Sequence, residues 1–202
     1  MRLTLLGVGA MNSPRFAPAG LVLRYAGHRI VFDGGTRTPA LPRRIDAWLV
    51  TDEHAELRSV LRHMAAELGT EPRAASLAYD DLEVLRHPVV HTSHPAYGYR
   101  IVTPGLVVVW APEFWEFPSW AAAADLMFAE AASWDRPIRF RGDVGGHASV
   151  RDVGAAAARH GVRRLVYAHI GRPSIRAIDR GLRPEIGEWG HEGRTYVLRP
   201  AT

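Results

Sequence analysis

The sequence predicts an α/β domain with one polar site at the ends of its strands. Three observations carry this. Strand patterns come first and then alternate with helical ones. Histidines and carboxylates recur just past the apolar runs. The clearest run, Ile-Asp-Ala-Trp-Leu-Val over 45–50, reads as a buried strand and, beyond Thr51, releases Asp52, His54 and Glu56 at every second position. Ligand-binding groups collect beyond the carboxyl ends of covered strands. Asp, His and Glu so spaced can turn oxygen and nitrogen donors toward one divalent ion. The competing reading is an acidic helix start, with Thr51 or Asp52 as N-cap and Glu53 and Glu56 complementing the helix dipole.

Taken in order, residues 2–6 read as a first strand. The loop Gly7-Val8-Gly9-Ala10 follows; no helical pattern comes after it, so it is not a dinucleotide fingerprint. Residues 20–26 and 28–32 read as strands joined by a tight hairpin at Ala26-Gly27. The second runs into Asp33-Gly34-Gly35, which is either an ordinary turn or backbone passing close to a site. From about 55 to 68, Leu57, Val60, Leu61, Met64 and Leu68 share a helical face, which gives Leu57 a core role, and Gly69 is the stop.

Residues 70–87 show no regular pattern. Strands are expected at 88–92, 99–103 and 106–111, the last ending at Pro112-Glu113. The aromatic group Phe114, Trp115, Phe117 and Trp120 then appears, with a short helix around 119–124. Core packing accounts for at least two of these four aromatics; the others suit a substrate wall or a homodimer contact. Residues 125–130 form another buried strand ending in Glu130. Ser149 caps a helix at 150–160, with Asp152 in its first turn. A strand at 164–168 ends at His169; a helix near 173–180 and a strand near 194–198 complete the chain.

The chain has 202 residues, which suits one domain over 1–202 with a substantial core. There is no cysteine, so disulfides and thiolate metal sites are excluded. All 25 basic residues are arginine, which excludes lysine Schiff-base and P-loop chemistry. The net charge of +4 permits a phosphate-bearing substrate without demanding one. No apolar run approaches a membrane span and the first residues do not read as a signal peptide, so the expected location is the cytoplasm.

With these pieces in place the chain resembles the metallo-β-lactamase-fold proteins, in particular the ribonuclease Z-like and phosphodiesterase branch. The resemblance runs from the first strand to about Arg172. It is carried by Leu-Leu-Gly-Val-Gly-Ala, by Ile-Val-Phe-Asp33-Gly-Gly, and by His91-Thr-Ser-His94-Pro-Ala-Tyr-Gly-Tyr-Arg-Ile. It continues in Val-Val-Trp-Ala-Pro-Glu113 and, most specifically, in Gly146-His147-Ala-Ser149 with Tyr-Ala-His169. It implies a four-layer αββα sandwich with the site at one edge of two sheets.

The departures are as telling. Where the family carries His-x-His-x-Asp-His, this chain has Asp52, His54, Glu56 and Leu57, and Glu113 stands in place of the bridging Asp. The resemblance then implies one chemically complete metal half-site of Asp52, His54, His91 (or His94) and Glu113. The second half-site, Glu56, Glu113 and His169, is one imidazole short. One divalent ion (zinc, manganese or iron) is therefore favoured over two. Glu56 is a ligand or a proton acceptor for water, His147 contacts the phosphate or protonates the leaving oxygen, and Asp33 supports the ligands.

The function expected is a metal-dependent hydrolase, phosphodiesterase-like, acting on a small molecule. Nucleic acid is less favoured, because the long arm with which ribonuclease Z grips tRNA has no counterpart here. The alternative is a degenerate member acting as a binding or regulatory module, or doing non-hydrolytic single-metal chemistry.

Overall fold

The computed structural model describes residues 1–38 and 41–200. The first half of the chain forms β1 (Arg2–Gly7), β2 (Gly20–Tyr25), β3 (His28–Asp33), β4 (Ala47–Leu49), α1 (Arg58–Ala66), β5 (Pro72–Arg73), β6 (Leu77–Tyr79), β7 (Leu82–Val89) and β8 (Ala96–Thr103). The second half adds β9 (Leu106–Ala111), β10 (Leu126–Ala131), β11 (Ile138–Arg139), β12 (Gly146–His147), α2 (Val150–Arg159), β13 (Leu165–Ile170), α3 (Arg172–Asp179), β14 (Glu188–Trp189) and β15 (Thr195–Val197).

One mixed sheet has the order β15-β1-β2-β3-β4-β5 and the other β14-β13-β10-β9-β8-β7-β6. A two-stranded ribbon, β11-β12, stands apart from both. The alternation along each strand decides which way its side chains go. Leu21, Leu23, Ile30 and Phe32 meet Ile101, Val108, Trp110 and Phe128 in the main core, which draws on both sheets. The intervening Val22 and Val31 join Trp48, Leu61 and Ala65 in a second cluster that includes α1. Helix α2 packs on β10 and β13. The result is an α/β sandwich of two sheets with helices outside them, as the sequence predicts. Each wholly buried Leu, Ile or Phe contributes on the order of 1.5–3 kcal/mol.

The details differ from expectation in four places. Residues 70–87 are not irregular but carry β5, β6 and the start of β7. The alternation of buried Leu82 and Val84 is masked by the polar residues between and after them. Pro88 is tolerated because β6 pairs with β7 only as far as Val84, so the proline lies where that side of the strand is an edge. The strand expected at 88–92 ends at Val89, which leaves His91 in the loop beyond. The helix expected from 55 starts at Arg58, with Leu57 at its N-cap and no side-chain cap. The helix expected at 119–124 is a single 3-10 turn at Ser119–Ala121. Among the described residues no helix is long and apolar enough to cross a membrane.

Candidate metal centre

The ends of β4, β9 and β13 meet the β12 ribbon at a cavity of about 350 Å³. Asp52, His54, Glu56, His91, Glu113, His147 and His169 all line it. They fall into an inner group and an outer one.

The inner group is organised by Glu113, just past β9. Its Oε2 lies 2.8 Å from His91 Nε2 and its Oε1 lies 3.2 Å from His169 Nδ1. His91 Nδ1 lies 2.9 Å from the Gly146 carbonyl oxygen. A carbonyl only accepts, so Nδ1 carries the proton and Nε2 is the nitrogen turned to Glu113. A bare imidazole nitrogen facing a carboxylate needs either a second proton or a cation between them. Burial lowers the His91 pKa, but the hydrogen bond and charge of Glu113 push it up to about 9. Burial also works against the Glu113 charge, yet His169, His91 and His147 hold its carboxyl well below the usual range. His169 is lowered by burial, with Glu113 and Glu130 opposing.

His169 reaches this group through a bulge. Ala129 of β10 faces Tyr167 of β13, but Ala131 faces Ile170, so β13 holds one additional residue. His169 takes φ 59° there. A non-glycine residue in this region costs on the order of 1–3 kcal/mol, and bulges beside sites re-aim a side chain in this way.

Glu130 is wholly buried at the end of β10. Its Oε1 accepts from the Ala132 N–H (2.7 Å) and its Oε2 from the Phe114 N–H (3.1 Å). The same Oε2 lies 2.8 Å from His147 Nδ1. Burial lowers the His147 pKa, but Glu130 and then Glu113 raise it above the ordinary imidazole value. Donor atoms of Glu130, His147 and His169 lie within 4.8 Å of one another, close enough to hold an ion. Glu130, however, does not line the cavity, and its oxygens already face three protein partners. Its visible chemistry is to hold His147. The sequence marks Glu130 only as a carboxylate at a strand end; its partner lies across a turn that periodicity does not describe.

The outer group sits on the loop after β4. Asp52 Oδ1 accepts from the His54 N–H at 2.7 Å, a local turn, and lies 3.4 Å from His94 Nδ1. The rings of His54 and His94 are 5.3 Å apart. Asp52 therefore does not cap α1, and Glu53 is used elsewhere, accepting from the Ala74 N–H at 2.9 Å. His91 and His94, alternatives in the sequence, take different places: His91 is buried against Glu113, and His94 sits beside Asp52. Among the described residues no ion pair joins His54 to Glu113, or Asp52 to His91 or His169. His54 and Glu56 are exposed.

Asp33 ties the two groups together. Its Oδ1 accepts from the Thr51 N–H (2.7 Å) and hydroxyl (3.0 Å), and its Oδ2 from Trp110 Nε1 (2.7 Å). Burial pushes its pKa up to about 7, against the pull of those hydrogen bonds.

None of Phe114, Trp115, Phe117 and Trp120 lines the cavity. Phe114 is core, and Trp120 stacks on His87 at 4.8 Å and donates to the Pro88 carbonyl. The aromatic wall is Phe140 instead, whose ring lies 5.7 Å from that of His91 and 5.3 Å from that of His147. A single aromatic between Arg139 and Arg141 carries no periodic signal, so sequence reasoning passed over it.

No protein-family model matches the sequence, and no curated protein matches it significantly. Solved structures do match in shape. The metallo-β-lactamase-fold protein YhfI from Bacillus subtilis aligns at a TM-score of 0.72 with 14% identity, over 96% of this chain and 98% of its own. The fold of this protein is thus the metallo-β-lactamase fold. Within it, a diphosphatase of the PhnP family aligns at 0.70 with 17% identity, over 97% of both chains. The short form of human tRNase Z aligns at 0.71 with 17% identity, over 98% of this chain and 100% of its own. At these identities the likeness is one of fold.

Proposed function

We propose that this protein is a metal-dependent hydrolase, phosphodiesterase-like, acting on a small ester with one divalent ion. The observation that carries the reading is Glu113, a buried-site carboxylate with an imidazole nitrogen on each oxygen, at 2.8 and 3.2 Å. Two donors bound at about 2.0–2.2 Å to one ion stand roughly 3 Å apart, so this donor set fits a transition metal such as zinc, manganese or iron. His91, Glu113 and His169 are the anchoring ligands; Asp52 and His54 complete the set from the loop after β4.

A bound ion lowers the pKa of water and polarises the ester oxygen. The protein's own residues do the rest. Glu130 keeps a proton on His147 Nδ1, so Nε2 is the nitrogen that passes a proton to the leaving oxygen. Glu56, exposed at the mouth, accepts the proton that water gives up. Asp33 holds Thr51, and through it the start of the loop that carries Asp52.

The second reading is a binding module on the same scaffold. It is favoured by Leu57, an apolar side chain lining the cavity where a further ligand would be needed. Metal analysis of protein purified without chelator separates the two. The hydrolase reading expects about one equivalent of a transition metal, lost in Glu113→Ala and retained in Glu130→Gln. In Glu130→Gln, kcat on an aryl phosphodiester should fall about 10²-fold with KM little changed. A folded protein that holds no metal leaves the binding module.

A further inference from the structure

We infer that the substrate carries at most one negative charge together with an aromatic or alkyl arm, and that Met11 and Phe140 select it; this deepens the hydrolase reading and rests on it. The starting point is a charge mismatch. The chain holds 25 basic residues, all arginine, yet among the described residues no arginine lines the cavity. Four carboxylates do: Asp33, Asp52, Glu56 and Glu113. One divalent ion offsets only two of these four charges.

Proteins meet the two or more charges of a phosphate monoester or a diphosphate with arginine forks, lysines or helix N-termini. Several nearby arginines are turned elsewhere. Arg139 lies against the Trp115 ring at 5.5 Å and Asp143 at 3.2 Å. Arg15 pairs with Asp179 at 2.6 Å. Arg58, Arg62 and Arg73 line a separate groove that meets the cavity only at Asp52 and Leu61. Apart from the imidazoles, of which His147 is committed to the leaving oxygen and His91 and His169 to Glu113, nothing on the cavity wall is placed to neutralise a second substrate charge. A phosphodiester, with one charge, and an uncharged ester both escape this penalty.

The apolar side points the same way. Seven large apolar side chains are exposed among the described residues; one of them lines the cavity and three lie on the segments that carry His91 and Phe140. Met11 lines the cavity, Val90 precedes His91, and Ile138 and Val144 belong to the segment that carries Phe140. Leu57 and Leu61 extend the same wall inward. An ionic floor under an apolar rim fits an ester group below and a hydrocarbon arm above.

The test is calorimetric binding to the protein with its native metal, using diphenyl phosphate (one charge, two aryl arms) and phenyl phosphate (two charges, one arm). Diphenyl phosphate should bind at least about tenfold more tightly. Phe140→Ala should weaken diphenyl phosphate about fivefold, and Met11→Arg should narrow the gap between the ligands by strengthening phenyl phosphate. Equal or tighter binding of phenyl phosphate, no binding of either, or indifference to both substitutions overturns the inference. Hydrolysis of the corresponding bis(4-nitrophenyl) and 4-nitrophenyl phosphates is followed in parallel. If the binding order holds and neither ester is cleaved, the hydrolase reading fails while the charge and shape preference stands.

Discussion

A carboxylate accepts on both oxygens, whereas an amide offers one acceptor and one donor. Asp33 uses both oxygens, Oδ1 toward Thr51 and Oδ2 toward Trp110. Asparagine at this position would set an N–H against an N–H whichever way it flipped, whereas a protonated Asp33 can turn its single O–H to the Thr51 hydroxyl, which also accepts, and keep lone pairs for both N–H groups. Asp33→Asn should therefore destabilise the fold by ~1–3 kcal/mol, read by urea unfolding. Its pH dependence has a definite sign. The unfolded carboxyl loses its proton near 3.8 and the folded one near 7, so the folded state holds more protons between these values. The stability that Asp33 contributes is complete below the lower value and is lost as pH rises through the upper one. The margin of the native protein over the asparagine variant should shrink across that window and level off above it. A margin that grows instead would mean Asp33 stays ionised in the fold.

At the scale of elements, the ribbon β11-β12 is seated by glycine. Gly145 has φ 137°, and a Cβ there would collide with the His91 carbonyl. The next residue, Gly146, donates its N–H to that carbonyl at 2.8 Å, while its own carbonyl accepts from His91 Nδ1. This reciprocal pair of hydrogen bonds thus places both the ribbon and the tautomer of His91. Gly145→Ala should cost about 2 kcal/mol or more, because it combines a left-handed backbone with a backbone clash. It should also weaken metal retention, although the glycine is no ligand. Unchanged melting and unchanged metal content would show that the ribbon is not what holds His91.

For the whole molecule, the two sheets are tied at the site as well as through the core. Trp110 of β9 reaches Asp33 of β3, and the Tyr99 hydroxyl of β8 donates to the Val50 carbonyl at 2.6 Å. The proposed ion, held by His91 and Glu113 from the second sheet's loops with Asp52 from the first, would add one more tie. Binding only the folded state, it would contribute about 2.7 kcal/mol at a hundred times its Kd. Chelation should then lower Tm by about 5–10 °C in a chain of this size, and zinc or manganese should restore it. Glu130→Gln should respond like the native protein and Glu113→Ala should not. A Tm indifferent to chelator in the native protein would contradict the metal centre.

The sequence by itself did not determine β5, β6, the start of β7 or the β11-β12 ribbon; it did determine most of the longer strands, the α2 helix and the collection of donors at strand ends. Those features depend on neighbours within a few positions. The alternation in Leu21–Leu23 and Ile30–Phe32 sorts residues between core and outer cluster, and Ser149 accepts from the Asp152 N–H at the start of α2, as its cap position predicts. Only the tertiary structure decided which donors meet. His91 finds Glu113 and Asp52 faces His94 through loop paths across the two sheets. Glu130 at the end of β10 meets His147 of β12, 17 residues on, across the intervening loop. His169 enters the site only because β13 carries one residue more than β10 at that point. A bulge, a loop path and the seating of a ribbon are set by register between distant segments, and no local spacing encodes that register.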